Sequence, residues 1–462
     1  VVTAQLRQKI VRRLGSENVV SDAAGLDAFG GDKWFAERRP ELAVVPGSTE
    51  EVAFVLRAAS AAGVPVTTRG AGYGYVGGCV PVRGGIVLST RRMNKILAVD
   101  AKDFVAVVQP GVITGTLQAR AKRKGLLYPP DPASLDNCSL GGNIATNAGG
   151  PRCLKYGVTR NYVLGLEVVL ADGSVVRLGG RNHKNKTGFD LIGMFVGSEG
   201  MLGVVTEATL RLLPDPPSRA VLSAGFPTMR AGAGAVQAVF RRGFLPAAVE
   251  VADRFTLEAA RANGALTRVP PGDAHVLIEI DGQVASVLGE TRDLAELLAE
   301  SGATEVTTAT TDAECDDLWA LRRGFSTSLR ATGLTKLNED IVVPRGRLVD
   351  LVRFAEGLEK RCGYAIACFG HAGDGNIHVN LMAADYDRAD VREKVHAALD
   401  ELFAKVLEWG GAISGEHGIG LAKMPWWEQA TSVEVRALHR AIKAAVDPAG
   451  VLNPGKFLDQ RA

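Results

Sequence analysis

The segment Phe369–Asn380, FGHAGDGNIHVN, constrains the chain most, because it makes two short strands meet at a tight turn with a histidine on each side. Ala365 to Phe369 is apolar and predicts a buried strand. Gly373, Asp374 and Gly375 supply turn chemistry, and Ile377, Val379 and Leu381 alternate with His378 and Asn380 as a second strand. That arrangement aims His371 and His378 at one point. A second run, GEHGIG from Gly415, adds Glu416 and His417, with glycines that let backbone approach a ligand closely. Two imidazoles and a carboxylate, with positions left open, suit a catalytic divalent ion such as zinc, manganese or iron. One histidine in such a turn can merely satisfy backbone. Three of the chain's seven histidines fall in these two motifs, however, and that weighs toward the ligand reading.

With 462 residues the chain exceeds one ordinary core, and its length suggests about three compact units with room for a deep site. Lys and Arg total 53 against 51 Asp and Glu, so a net charge of +2 offers neither a nucleic-acid footprint nor a polybasic membrane patch. The expected partners are small molecules. Six cysteines, none in C-x-x-C spacing, argue against an iron–sulfur cluster, a zinc knuckle or a thioredoxin-type pair, and fit a reduced, cytoplasmic protein. Arg7, Lys9, Arg12 and Arg13 interrupt what would have to be an apolar signal core, and no apolar run reaches the length of a membrane span.

Residues 1–37 read as an amphipathic helix and linker, with Leu6, Ile10 and Leu14 at helical spacing. A strand at AVV, a helix from about Glu50 to Ala62 capped by Ser48, and the strand VPVTT then form a βαβ unit. This unit runs into RGAGYGYVGG, where Gly72, Gly74 and Gly77 satisfy the dinucleotide fingerprint G-x-G-x-x-G. The context refuses that reading, because the loop leads into the strand IVLS instead of a helix and the first acid downstream is Asp100. It reads instead as a nest of backbone N–H groups around a pyrophosphate, or as a glycine-rich hairpin without ligand. Further on, SLGGNIATNAGGPRCLKYG crowds small residues around Asn143, Thr146 and Asn147, so backbone can lie against a flat ligand. Three prolines in LLPDPPSRA mark a domain boundary. Beyond it, strands at 248–251, 275–280 and 303–308 and helices at 254–262, 284–301, 312–332 and 347–361 predict an α+β sheet with helices on one face. Arg322 and Ser326, at i and i+4, share one helix face, where a guanidinium can grip a carboxylate or simply meet solvent beside Arg323.

Seven motifs in order, RGAGYGYVGG, SLGGNIATNAGGPRCLKYG, FVGSEGMLGVVTEATL, NEDIVVP, FGHAGDGNIHVN, GEHGIG and DPAGVLNPGK, resemble the vanillyl-alcohol-oxidase-type flavoproteins. Within them the resemblance is to the branch of D-lactate dehydrogenase, D-2-hydroxyglutarate dehydrogenase and the glycolate oxidase flavin subunit. It implies an α+β fold with a two-subdomain PCMH-type FAD-binding domain over 38–217. A cap domain with an antiparallel sheet and flanking helices would follow over 218–440, and a segment over 441–462 would return to the FAD domain. By position it implies that Arg69, Gly70, Ala71, Gly72, Tyr73, Gly74, Pro130, Ser134, Ser139, Gly142, Asn143, Thr146, Gly149, Glu199, Gly203, Val204 and Asn453 line a non-covalent FAD. His371, His378 and Glu416 would hold the metal, zinc or manganese or iron. His417 would be the base, and Arg322, Ser326 and Asn380 would bind substrate.

The implied reaction is oxidation of a D-2-hydroxy acid, with electrons passing to a quinone, a cytochrome, an electron-transfer flavoprotein or O2; a homodimer is compatible with it. An oxidase using O2 and a flavin subunit that works only within a complex are the alternatives. The sequence departs from the resemblance in places. Tyr73 and Tyr75 stand where smaller or aliphatic residues are usual, and Cys153 stands where Ala is common. The lysine that meets the distal carboxylate in hydroxyglutarate enzymes would fall six residues before Pro344, at Asn338, with Lys336 two residues early. That departure favours a smaller or more apolar 2-hydroxy acid.

Overall fold

The computed structural model describes residues 1–264 and 268–458. The described residues form two compact units, one of 1–149, 158–215 and 416–458, the other of 150–157, 216–264 and 268–415.

The first unit holds two main sheets. In the four-stranded sheet, Leu42–Val44 and Val66–Arg69 run parallel to Ile86–Ser89, and the helix Thr49–Ala61 makes the crossover. Ser48 caps that helix by accepting from the Glu51 N–H, as the sequence predicts. The helix Ala4–Leu14 buries Leu6, Ile10 and Leu14 in the same core. The second sheet has five antiparallel strands, in the order Ile96–Asp100, Val105–Val108, Val204–Arg211, Val163–Val169 and Val175–Gly179. The glycine loop after Arg69 enters no helix and leads to the strand Ile86–Ser89. The run of small residues around Asn143 is the short helix Leu140–Thr146 and not open loop, because Ser139 caps its start and Asn147, at φ 52°, ends it in a left-handed turn.

The second unit is built on a seven-stranded antiparallel sheet, in the order Glu305–Ala309, Ser218–Phe226, Ala274–Gly282, Ala248–Ala252, Ala365–His371, Asn376–Ala383 and Thr335–Val342. The helices lie at Arg254–Ala262, Val284–Glu300, Asp312–Ala331 and Leu348–Cys362, within two residues of their expected ends. They cover both faces of the sheet and not one. Arg254–Ala262 and Asp312–Ala331 pack on Ala252, Ala367 and Phe369, whereas Gly232 of the helix Met229–Arg241 meets Val276 and Phe226 on the other side. The reason lies in the strands: Ala274 to Ile280 is buried at every position, so neither face can be left to water.

Residues 150–157 group with this unit, away from the rest of the small-residue run. Arg152 forks onto Glu279 at 2.7 and 3.1 Å, Lys155 pairs with Asp281, and the Tyr156 hydroxyl donates to Asp281 at 2.7 Å. The resemblance implied a return to the FAD domain at 441; contacts in the structure group the described residues from Glu416 to Leu458 with the first unit.

Candidate active site

Register decides which side chains of the second unit meet. Asp340 pairs with His378 and Asn338 with Asn380, His378 pairs with Phe369, and Glu250 pairs with His371. Since alternate residues share a face, Lys336, Asn338, Asp340, His378, Asn380, His371 and Glu250 gather on one side of the sheet. The helix Asp312–Ala331 crosses that side and lowers Arg322 and Ser326 onto it.

Glu250 joins the two halves of this cluster. Fully buried, it takes His371 Nδ1 on one carboxylate oxygen at 2.7 Å and Arg322 Nε on the other at 2.5 Å. Burial alone would push its carboxyl up, but Arg322 and His371 outweigh that and hold it below the ordinary glutamate value. Arg322 is therefore a buried, anchored guanidinium, lying 4.9 Å from the Phe369 ring centroid, and not the solvated neighbour of Arg323. The rings of His371 and His378 are buried edge-to-face with centroids 5.5 Å apart.

Asp340 is the second buried anchor. Its Oδ1 accepts from Asn376 at 2.6 Å, and its Oδ2 accepts from Ser414 Oγ at 3.1 Å and the Gly415 N–H at 3.0 Å. It thereby fixes the chain one residue before Glu416. Asn380 donates to the carbonyls of Ala367 and His378, and its Oδ1, like that of Asn338, is buried with no partner among the described residues. Lys336 Nζ donates to Ser326 Oγ at 2.8 Å.

In the first unit the cofactor candidates divide into two groups. Ser139 Oγ accepts from the Ala71 and Gly142 N–H groups, joining the first glycine loop to the helix Leu140–Thr146; a Cβ on Gly70 would collide with that hydroxyl. The Arg69 guanidinium folds under Gly72 and bonds the Gly31 carbonyl and Cys79 Sγ, so it shapes the loop. Tyr73 bonds Asn137, Thr146 bonds the Gly142 carbonyl, and Gly74 accepts from Lys33. Asn143 donates to Thr114 at 2.6 Å, and Gly149 closes the first stretch of this unit. The other group is held by bonds and packing: the Pro130 and Ser134 carbonyls accept hydrogen bonds, Gly203 packs on Val168, and Val204 lies in the hydrophobic core with Val169 and Leu452. Thr68 Oγ1 and Asn453 Oδ1 are buried without partners among the described residues, which suits a polar ligand.

Glu199, at φ 49°, spends both carboxylate oxygens on the chain, taking the Ile419 N–H at 2.8 Å and the Gly420 N–H at 2.9 Å. Asn453 in turn donates to the Glu199 carbonyl at 2.8 Å. The His417 ring stacks on Tyr75, with centroids 5.3 Å apart and planes 30° off parallel.

Sequence reasoning missed Glu250 and Asp340. The signal for Glu250 was present, a lone acid inside the apolar strand AVEVA. A charge there must be paired, and nothing local could pair it.

Comparison with known proteins follows the same division. Residues 40–179 match the family described as "FAD binding domain" and residues 215–457 match "FAD linked oxidases, C-terminal domain". The chain is 37% identical to the glycolate oxidase subunit GlcD of Bacillus subtilis, over all of this chain and 98% of that one. It is 36% identical to a D-lactate dehydrogenase of Anaerostipes hadrus over 92% of this chain and 90% of that one. A D-2-hydroxyglutarate dehydrogenase of Xanthomonas citri is also 36% identical, over 95% and 94%. Among solved structures, p-cresol methylhydroxylase with substrate bound shares the fold, with a TM-score of 0.80 at 21% identity over 98% of this chain and 96% of that one.

Proposed function

Because the chain belongs to the FAD-linked oxidase family, as an FAD-dependent hydroxyacid oxidoreductase of the D-lactate, glycolate and 2-hydroxyglutarate dehydrogenase branch, we propose that it oxidises a D-2-hydroxy acid to the 2-oxo acid with a divalent metal and a histidine base. The observation that carries this reading is the buried Glu250 bridge, which ties a histidine of the expected metal set to the expected substrate arginine.

The residues fit a metal. With Nδ1 engaged by Glu250, His371 presents Nε2 as its ligand atom, an arrangement in which the carboxylate orients the ring and raises its basicity. His378 is the second ligand, and Glu416, next to the Asp340-anchored Gly415, is the third. When bound, the ion lowers the hydroxyl pKa as a Lewis acid and FAD is the hydride sink. His417 takes the hydroxyl proton on a ring nitrogen as general base. Arg322, fixed through Nε, directs the rest of its guanidinium at a substrate carboxylate, which orients the Cα–H. Asn380 Oδ1 and Asn338 Oδ1 are acceptors open to a donor on the substrate's substituent or to water.

The deciding experiment is anaerobic. Addition of D-lactate, glycolate or D-2-hydroxyglutarate is expected to bleach the flavin, with L-lactate inert. Chelation is expected to abolish the bleaching, and zinc or manganese to restore it. Flavin that stays oxidised with every acid, with and without metal, removes the assignment. Aerobic peroxide release would mark O2 as the acceptor. Because the Bacillus relative is named a subunit, turnover by the isolated chain with an artificial acceptor tests whether a complex is required.

The substituent on the substrate is set around Lys336. It stands two residues before Asn338 on the same strand, so its side chain shares that face and returns an amino group to the row that Asn338 leaves without one. Burial, then Arg330 and Arg322, pushes the ammonium down to about 7. Since the depressed group is charged below that value and neutral above it, discrimination in favour of acids with a second carboxylate should be strongest below pH 7 and fade as pH rises. Lys336→Met should lower kcat/KM for D-2-hydroxyglutarate relative to D-lactate by about tenfold, the effect of one charge-assisted bond, and flatten that pH dependence. Steady-state ratios for the two acids between pH 6 and 9 check it.

A further inference from the structure

The first glycine loop has two ends with different partners. Its Arg69–Gly72 end meets Ser139 and the helix Leu140–Thr146. Its Tyr75–Gly77 end meets the GEHGIG segment: the Val76 carbonyl accepts from the Leu421 N–H at 2.7 Å and the Ala422 N–H at 3.1 Å, and the His417 ring lies on Tyr75. A Cβ on Gly77 would fall 2.9 Å from Leu421 Cδ1, and a Cβ on Gly420 would strike the Val76 carbonyl, so both glycines are required by the closeness of the two segments.

Glu199 holds the same segment from another side. Its carboxylate takes the Ile419 and Gly420 N–H groups, and a Cβ on Gly418 would come within 2.8 Å of its Oε1. Glu199 is itself held in a left-handed conformation, with its N–H bonded to the Ala145 carbonyl at 2.8 Å and its own carbonyl bonded by Asn453. A strained non-glycine residue is worth its cost of about 1–3 kcal/mol where the surrounding structure needs its side chain in one place.

We propose that Glu199 and Tyr75 are positioning residues for His417, Glu199 fixing the backbone that follows it and Tyr75 the plane of its imidazole. The inference rests on the reading of His417 as the base. The Tyr75 ring lies against the His417 imidazole with centroids 5.3 Å apart, and so serves as an aromatic platform for it. Neither residue transfers a proton. Their contribution is geometric, and a displacement of about 1 Å at a reacting group costs up to ~100-fold in rate.

The test compares Glu199→Gln, Glu199→Asp, Tyr75→Leu, Tyr75→Phe and His417→Ala in the FAD- and metal-loaded protein. Three readouts are taken: stopped-flow flavin reduction over a range of D-2-hydroxy acid, the oxidised flavin spectrum, and amide hydrogen exchange over 417–422. Glu199→Gln can accept from only one of the two N–H groups, and should keep the flavin spectrum and the half-saturating substrate concentration within about twofold while the limiting reduction rate falls by about 10–100-fold. Exchange at Ile419 and Gly420 should rise with it. Tyr75→Leu should lower the limiting rate in the same way and Tyr75→Phe should restore it, because the ring and not the hydroxyl is used. Wild-type reduction with unchanged exchange in Glu199→Gln and Tyr75→Leu overturns the proposal. So does loss of flavin from Glu199→Gln and Glu199→Asp alike, which would make Glu199 a cofactor or folding residue. If His417→Ala itself reduces flavin at the wild-type rate, the base reading fails, while exchange in Glu199→Gln still decides whether the segment is held as described.

Discussion

His417→Ala is expected to retain its flavin and to lose nearly all reduction of it by a D-2-hydroxy acid. General-base removal accounts for about 10²–10⁴-fold, and the loss should appear in the limiting rate of the reductive half-reaction with little change in half-saturation. Of the groups expected to line the cofactor, those from Arg69 to Gly74 and Ser139 to Thr146 are held by bonds to Gly31, Thr114 and one another that do not involve the His417 ring, and Glu199 reaches the His417 segment at the backbone of Ile419 and Gly420. The imidazole instead stacks on Tyr75, one residue past Gly74. Truncating it therefore removes a proton acceptor and leaves those bonds in place. Rapid-mixing absorbance at the flavin band measures this directly, and near wild-type reduction in the variant would end the assignment of His417 as base.

How far the sequence could be read depended on whether each signal was local. The helices of the second unit were legible to within two residues because their caps and apolar spacing are written within one or two turns, as at Thr311 and Glu314, whose side chains close a capping box. The strand-turn-strand around His371 and His378 was legible for the same reason. What the sequence concealed was pairing over distance. Glu250 and His371 are 121 residues apart, and Glu250 and Arg322 are 72 apart, so only strand register and a helix crossing bring them together. The helix at Leu140–Thr146 was hidden behind its glycines, which lower helix propensity and disguise the Ser139 cap. Lys336 was discounted for standing two residues from the expected lysine, yet a two-residue step along a strand returns to the same face.

Glu250 should be the least replaceable of the side chains outside the expected ligand and base set, because two charged or chargeable partners depend on one buried carboxylate. Glu250→Ala leaves Arg322 buried without its counter-ion, and breaking a buried pair from one side costs about 3–5 kcal/mol of stability. Glu250→Gln keeps the shape and isolates the chemistry. Its amide oxygen can still accept from one partner, but its NH2 opposes the other, so either the His371 ring or the Arg322 fork loses its orientation. A group that hydrogen-bonds the far ring nitrogen of a metal-bound histidine is worth about 10–100-fold in metal affinity, and that is the expected weakening of zinc or manganese binding in Glu250→Gln, read by competition with a chromogenic chelator in the absence of substrate. Substrate half-saturation should rise in the same variant through Arg322, and that rise should persist at saturating metal. If metal affinity and half-saturation both stay at wild-type values, the bridge is a packing feature of the sheet face. If only the first changes, Glu250 serves the histidine and Arg322 stands without it.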